Sequence, residues 1–318
     1  MFKRTLVLAV VFVMILGAVA NAYPKRPITV IIPWDAGGGT DIIGRFMADK
    51  LAEELGVAVA VVNRSGGGGA VGHGAGARAA KDGYTITNLT LEIANMHWLG
   101  LTDVTVEDFD PIIQFNEDAS AVMIKADAPW ETIHDLLDHI RENPGDLFFS
   151  GSGAGTIWDL ARIGLLHSQD IPVDAVTWVP TGGAAPSIVE LMGGHVDVIT
   201  CSLAEAANQV ESGDLRVLAV MSDQRLPGFP DVPTLKEQGI DWSAGTWRGF
   251  GVPRGTPAEI VEVLEAALTK VAKSEEFADF MGKTGFGVYL RSSEEFMEYM
   301  REQNDTWRDV LRVGGYLE

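Results

Sequence analysis

Cysteine is almost absent from this sequence. Cys201 is the only cysteine among 318 residues, so the chain cannot form an internal disulfide. A lone cysteine of this kind is typically a small buried residue, and we predict that role for Cys201. No cysteine lies near residue 22, which excludes a lipid anchor at that position.

Positive charge is also scarce. The chain has 24 lysines and arginines against 44 aspartates and glutamates, a formal net charge of −20. This acidic balance favours solubility and argues against nucleic acid as a partner. It does not exclude an anionic ligand, because charges farther apart than the Debye length of about 8 Å are screened at physiological ionic strength. Whether the chain binds an anion therefore depends on the residues that line its pocket.

A long apolar run occurs only near the N-terminus. Lys3 and Arg4 precede an apolar segment from Leu6 to Ala20, and Ala20-Asn21-Ala22 fits the small-residue rule for signal peptidase. The segment is shorter than the roughly 20 residues that a membrane-spanning helix needs. We therefore predict a cleaved signal peptide over residues 1–22 and an exported chain that begins at Tyr23.

Short β-branched runs alternate with helix-period segments along the rest of the chain. This alternation predicts an α/β protein of mainly parallel sheets with crossover helices. The length suits two domains. We predict a first lobe over residues 23–122, a second over 123–221, and a return to the first lobe with C-terminal helices over 222–318. The hinge is expected in the extended crossings near residues 121–126 and 218–222.

Three glycine-rich turns each lie between a predicted strand and a predicted helix, over residues 34–41, 151–156 and 180–186. In open α/β sheets ligands bind beyond the carboxyl ends of the strands, so the three turns are expected to face one cleft. The turns contain no lysine or arginine. Backbone N–H groups and helix dipoles suit a carboxylate that is bound without a salt bridge.

The same residues resemble a known family, the substrate-binding proteins of tripartite tricarboxylate transporters, also called the TctC or Bug family. The resemblance covers nearly all of residues 23–270, in order and at family spacing. The motifs that carry it are Pro27-Ile28-Thr29-Val30, Pro33-Trp34-x-x-Gly37-Gly38-x-x-Asp41, Val62-Asn63-Arg64, Asp82-Gly83-Tyr84-Thr85, Asn143-Pro144-Gly145, Gly151-Ser152-x-x-Gly155, Val179-Pro180-x-x-Gly183-Ala184-Ala185-Pro186, Gly193-Gly194-His195-Val196-Asp197, Asp231-Val232-Pro233-Thr234 and Gly255-Thr256-Pro257-Ala258-Glu259.

The resemblance implies a two-lobed periplasmic-binding-protein (Venus flytrap) fold and a periplasmic, non-enzymatic protein. Such a protein captures a small carboxylate solute and passes it to the permease subunits of a tripartite tricarboxylate transporter. We expect a monomer with no cofactor and no metal. Thr156 and Thr181 are the side chains most expected to donate hydrogen bonds. The ligand-binding residues that the resemblance implies are Trp34, Asp35, Gly37, Gly38, Gly39, Thr40, Asp41, Ser152, Gly153, Ala154, Gly155, Thr156, Thr181, Gly182, Gly183 and Ala184.

Asp35 departs from the family pattern, which often has an apolar or small residue there. Two unit charges 4 Å apart interact by about 1 kcal/mol in water and about 4 kcal/mol at an effective dielectric of 20. If Asp35 faces the cleft, it penalises a second ligand carboxylate and favours an ammonium or hydroxyl group. We therefore expect an amino acid, a hydroxy acid or an aromatic monocarboxylate rather than citrate. Trp34, Trp158 and Trp247 suit a flat ligand, or simply pack the lobes.

The segment from Asn88 to Glu92 also departs from the family, which usually has a glycine-rich turn there. The sequence therefore does not show which residues form a third wall of the cleft. The sequence leaves three alternative functions to consider. Gly67–Gly72 fits the dinucleotide pattern G-x-G-x-x-G with Glu92 downstream, but the resemblance explains these glycines as a turn. An exported enzyme with Asp35 or Asp41 as its base, and a receptor that feeds a sensor kinase, are the remaining alternatives.

Overall fold

The computed structural model describes residues 23–317. The predicted signal peptide, residues 1–22, lies outside the described residues. The helices are α1 (Gly39–Leu55), α2 (Ala70–Ala77), α3 (Ile133–Glu142), α4 (Ile157–Ser168), α5 (Ala184–Met192), α6 (Ala207–Glu211), α7 (Ala258–Ala272), α8 (Glu275–Thr284) and α9 (Ser293–Val313). The strands are β1 (Ile28–Ile32), β2 (Val59–Asn63), β3 (Thr85–Thr90), β4 (Phe109–Lys125), β5 (Phe148–Ser150), β6 (Thr177–Trp178), β7 (Val198–Ser202), β8 (Leu215–Val220), β9 (Gly245–Pro253) and β10 (Val288–Arg291).

The first lobe is built on the strand order β2-β1-β3-β9-β4, with β10 on the far side of β4. Strand β1 pairs in parallel with β2 and β3, whereas β9 runs antiparallel to both β3 and β4. The alternation of buried β-branched residues in β1 places Ile28, Val30 and Ile32 in a core shared with Met47 and Leu51 of α1. Helix α1 ends at Leu55 and is capped by Gly56, whose left-handed backbone (φ +66°) lets its N–H donate to Ala52 O at 3.0 Å.

The second lobe is built on β5, which pairs in parallel with β6 and β7, and on β4, which runs antiparallel to β7 and β8. Helix α3 begins at a capping box, in which Thr132 and Asp135 each accept a backbone N–H of the other. Its apolar face, Ile133, Leu136 and Ile140, is buried in this lobe.

Strand β4 belongs to both lobes. Its residues from Phe109 to Ala119 pair with β9, and those from Ser120 to Ile124 pair with β7. The β-type runs in the sequence predict two separate extended segments here, residues 109–115 and 121–126, and the structure joins them into one strand. The C-terminal helix α9 also packs against both lobes. Its Phe296 lies 5.2 Å from Trp247 of β9, and its Trp307 and Leu311 lie in the same core as Trp158 of α4.

The α/β two-lobed fold is confirmed, and its sheets are mixed. The parallel pairs lie in the strand–helix–strand units, while β4 and β9 return through the sheets antiparallel. Helices α2, α6 and α8 and strand β10 are absent from the sequence-based prediction. The lobe boundaries and the hinge stay predictions. Within residues 23–317 no helix is long and apolar enough to cross a membrane.

Candidate functional site

The first glycine turn joins β1 to α1 and is closed by carboxylates of the chain itself. The N–H of Gly37 donates to Asp41 Oδ2 at 3.0 Å, and the N–H of Gly39 donates to Glu205 Oε1 at 2.6 Å. Glu205 follows β7 in the second lobe, so the second contact bridges the two lobes. We predicted a ligand anion at the N-terminus of α1. That N-terminus instead faces a carboxylate of the protein itself, Glu205.

Asp41 lies behind this turn rather than in the cleft. Its Oδ1 accepts hydrogen bonds from Arg45 Nε at 2.9 Å and from Asn63 Nδ2 at 2.8 Å. Burial opposes ionisation, but the hydrogen bonds from Arg45, Asn63 and Gly37 hold the pKa of Asp41 below its ordinary value. A carboxylate that is paired in this way is a poor base, which counts against the enzymatic alternative that uses Asp41.

The second glycine turn joins β5 to α4 and is satisfied in the same manner. The N–H of Gly155 donates to Asp159 Oδ2 at 2.9 Å, and the N–H of Ile157 donates to Glu92 Oε1 at 3.2 Å. Glu92 belongs to the first lobe, so this contact is again a bridge between lobes. The Thr156 hydroxyl donates to Gly153 O at 2.6 Å and bonds the Ser152 hydroxyl, so it is engaged within its own turn.

The third glycine turn precedes α5. The Thr181 hydroxyl bonds Ser187 Oγ at 2.5 Å and Gly183 O at 3.1 Å, so it too is used locally. Asp35 Oδ2 packs directly over Gly182, and a Cβ added to Gly182 would overlap this oxygen. After Glu92 at the start of α4, Asp35 is thus the second first-lobe carboxylate that faces the start of a second-lobe helix.

A chain of hydrogen bonds fixes Glu92. Trp34 Nε1–H donates to Thr90 Oγ1 at 3.2 Å, and the Thr90 hydroxyl donates to Glu92 Oε2 at 2.5 Å. Burial raises the pKa of Glu92, and the hydrogen bonds from Thr90 and Ile157 oppose that rise. Below Thr90, the buried His73 contacts Gly69 O through Nδ1 and the Thr90 N–H through Nε2, and burial lowers the pKa of His73 to about 4.

Arg248 is the guanidinium of the site. Its Nη1 donates to Asn116 Oδ1 at 2.6 Å and to Asp118 Oδ2 at 2.5 Å, and its Nε donates to Thr40 Oγ1 at 3.0 Å. Its Nη2 lies 3.6 Å from Glu205 Oε1. Burial raises the pKa of Glu205, and the charge of Arg248 opposes the rise.

Glu205 Oε2 is buried and has no hydrogen-bond partner among the described residues. Buried polar atoms are almost always paired, so an unpaired carboxylate oxygen marks a place for a donor.

These elements meet at a cavity between the lobes. Its volume is about 30 Å³, which is enough for one or two waters and too little for an organic acid. Because the hydrogen bonds of Glu205 and Glu92 cross from one lobe to the other beside it, we describe the cleft as closed. Of the predicted site residues, those that line the cavity are Trp34, Asp35, Gly38, Thr40, Ser152, Gly182, Gly183 and Ala184. Those that do not line it are Gly37, Gly39, Asp41, Gly153, Ala154, Gly155, Thr156 and Thr181. The lining residues outside the predicted set of ligand-binding residues are Thr90, Glu92, Ile157, Trp158, Ala185, Pro186, Glu205, Thr246 and Arg248.

Arg248 is the most informative of the missed residues. Side chains alternate across β9, so Thr246 and Arg248 point into the cavity while Trp247 points away and packs edge-on against Phe296 at 5.2 Å. The signal in the sequence that could have identified Arg248 is its place two residues after Thr246, on the same face of a buried strand. Trp34 and Trp158 line the cavity, whereas Trp247 is a core residue. Thr90 and Glu92 supply the third wall that the sequence left open.

No group of histidine, cysteine, aspartate and glutamate within residues 23–317 is placed to hold a metal ion. Cys201 is free and buried, as predicted.

The family model "Tripartite tricarboxylate transporter family receptor" (TctC) matches residues 43–315. The chain is 30% identical over 295 residues to the "UPF0065 protein in tcbD-tcbE intergenic region" of Pseudomonas sp. strain P51, covering 92% of this chain and 87% of that protein. The chain belongs to the TctC family.

Solved structures of similar proteins place the receptor among solute-binding proteins. A ligand-free TctC solute-binding protein from Polaromonas is 37% identical, with a TM-score of 0.69 over 92% of this chain and 99% of that one. MatC from Rhodopseudomonas palustris with bound malate is 25% identical, with a TM-score of 0.85 over 91% and 100%. R. palustris Rpa4515 with adipate is 26% identical, also with a TM-score of 0.85, over 92% and 98%. The periplasmic binding protein BugD is 27% identical, with a TM-score of 0.87 over 93% of this chain and 99% of that one.

Proposed function

We propose that this receptor captures a small solute with a carboxylate group in the periplasm and delivers it to a tripartite tricarboxylate-type permease. The observation that carries the proposal is a closed cavity between two lobes, lined by the starts of α1, α4 and α5 and by Arg248. The malate and adipate complexes of two relatives support a carboxylate ligand. In this proposal residues 1–22 direct export, and the predicted site residues that line the cavity bind the solute.

Closure of the lobes is the proposed mechanism. The cavity is too small for a solute, so the lobes must open to admit one and then close over it. Contacts that require both lobes drive closure, because a ligand shifts the equilibrium toward the state that it binds better. Despite lower sequence identity, the receptor matches the two ligand-bound relatives more closely than the ligand-free one. This supports a closed form.

The start of α5 is the proposed seat of the ligand carboxylate. Gly182, Gly183 and Ala184 line the cavity with backbone, and the positive end of the α5 dipole points the same way. Arg248 of β9 also lines the cavity and adds a positive charge.

A thermal-shift panel of mono-, di- and tricarboxylates, followed by calorimetry, tests this function. At least one carboxylate should raise the unfolding temperature and bind with 1:1 stoichiometry. Gly38→Asp should abolish that binding, because a Cβ on Gly38 lies 3.5 Å from Glu205 Oε1 and the new carboxylate would fill the cavity. Gly282→Asp is the matched control, since it adds the same charge at an open surface position. Unchanged affinity in Gly38→Asp would contradict the site.

A further inference from the structure

Three carboxylates from both lobes, Asp35, Glu92 and Glu205, face the cavity; we call them the interlobe carboxylates. Glu205 of the second lobe meets the start of α1, and Glu92 of the first lobe meets the start of α4. Asp35 of the first lobe lies over Gly182, at the start of α5. Each helix start that could hold a ligand anion is therefore already faced by a negative charge of the receptor.

The positive charge at the cavity does not balance them. Arg248 is the only arginine or lysine among the lining residues, and it forms an ion pair with Asp118. Glu92 and Glu205 are almost fully buried, so bulk solvent does not screen them. A ligand with two carboxylates would add like charges to this set. A ligand with a positive group would neutralise part of it.

Two independent observations point to a positive group. The buried Glu205 Oε2 lacks a donor, and an ammonium carries three. The indoles of Trp34 and Trp158 also line the cavity, and an aromatic face attracts a cation electrostatically.

We propose that the solute is zwitterionic, an amino acid or a related ammonium carboxylate, and that Glu205 and Glu92 bind its positive nitrogen. This inference rests on the proposed function, which supplies the carboxylate. It separates this receptor from the relatives that hold malate and adipate, neither of which carries a nitrogen. The ligand's carboxylate then takes the start of α5, with Asp35 moving aside or pairing with the same nitrogen.

Calorimetry with matched ligands tests the inference. The probes are alanine, lactate and propionate, then γ-aminobutyrate, 4-hydroxybutyrate and succinate, with glycine betaine and butylamine. We expect the amino acid of at least one series to bind at least tenfold more tightly than its hydroxy and dicarboxylate analogues. Glu205→Gln, which keeps the side-chain shape, should weaken the amino acid at least tenfold and change the hydroxy acid little. Glu92→Gln should act in the same direction.

Glu142→Gln is the control, because it removes one negative charge from an exposed position at the end of α3. Circular dichroism and the unfolding temperature verify that each variant is folded. A hydroxy acid or a diacid that binds as tightly as the amino acid would overturn the zwitterion inference and leave the carboxylate function intact. Binding of butylamine without any acid would instead overturn the carboxylate function, while the cation site stands.

Discussion

Gly72 allows helix α2 to pack closely against the first-lobe loop. Gly72 lies in α2 against the segment that leads into Trp34. A Cβ on Gly72 would lie 2.5 Å from Pro33 Cα and 2.7 Å from Arg64 O, both backbone atoms that cannot turn away. The close approach of α2 to this loop therefore requires a residue without a side chain.

Gly72→Ala should lower the free energy of unfolding by about 2 kcal/mol, because overpacking displaces backbone. Gly282→Ala is the matched control: this glycine lies in α8 with open space around its Cβ position, so alanine should stabilise the protein by about 0.5 to 1 kcal/mol. Urea unfolding followed by circular dichroism measures both. A loss of stability of the same size in both variants would show that the crowding at Gly72 is not the cause.

The glycine turns and the family resemblance together predicted eight of the 17 residues that line the cavity, but not their hydrogen bonds. The glycines and Asp35 were found because a strand, a glycine turn and a helix follow one another in the sequence. Thr156 and Thr181 were expected to bind a ligand, yet each closes its own turn, because a hydroxyl held near the carbonyls of its own turn bonds them first. Glu205 reaches Gly39 from 166 positions away, a pairing that no local pattern contains.

Helix α4 contains a buried ion pair that begins in its first turn. Arg162 Nη2 lies 2.7 Å from Asp159 Oδ1, and both side chains are buried. Asp159 Oδ2 also accepts from the Gly155 N–H and from the Tyr316 hydroxyl at 2.6 Å. One carboxylate therefore holds the second glycine turn, the helix and the C-terminal segment together.

Arg162→Met should destabilise the protein by about 3 kcal/mol, since it leaves Asp159 buried without its counter-charge. Arg312→Met removes the partner of Asp309 at the same i,i+3 spacing on an exposed helix face, and should cost less than about 1 kcal/mol. Chemical unfolding at neutral pH compares the two variants. Equal losses would mean that Asp159 finds other partners once Arg162 is gone.

The division of strand β4 into two predicted runs has a physical cause. Strand β4 carries Asn116, Glu117 and Asp118 at its centre, which interrupts the apolar pattern, so it was split into two runs. These polar residues are buried or half-buried because they pair with Arg248 and Arg291 from neighbouring strands. The polar residues that interrupt the apolar pattern of β4 are thus the ones that fix Arg248 at the cavity.

Opening and closing of the whole receptor should depend on pH through Glu92 and Glu205. Both pKa values are raised by burial in the closed form, against the opposing charge of Arg248, with Asp118 adding to the rise at Glu205. A group whose pKa is raised on closing favours the closed form below its ordinary pKa, about 4.3 for glutamate, and loses that effect as pH rises through the raised value. The ligand-free receptor should therefore open as pH rises from acid to neutral.

Small-angle X-ray scattering on the ligand-free receptor should show a larger radius of gyration at pH 8 than at pH 5.5. In the double variant Glu92→Gln/Glu205→Gln the two buried charges are gone, so it should stay as compact at pH 8 as the unaltered receptor is at pH 5.5. Glu142→Gln should expand like the unaltered receptor, because its carboxylate is exposed in both forms. Identical expansion of the double variant would show that the interlobe carboxylates do not control closure and that some other titrating group does.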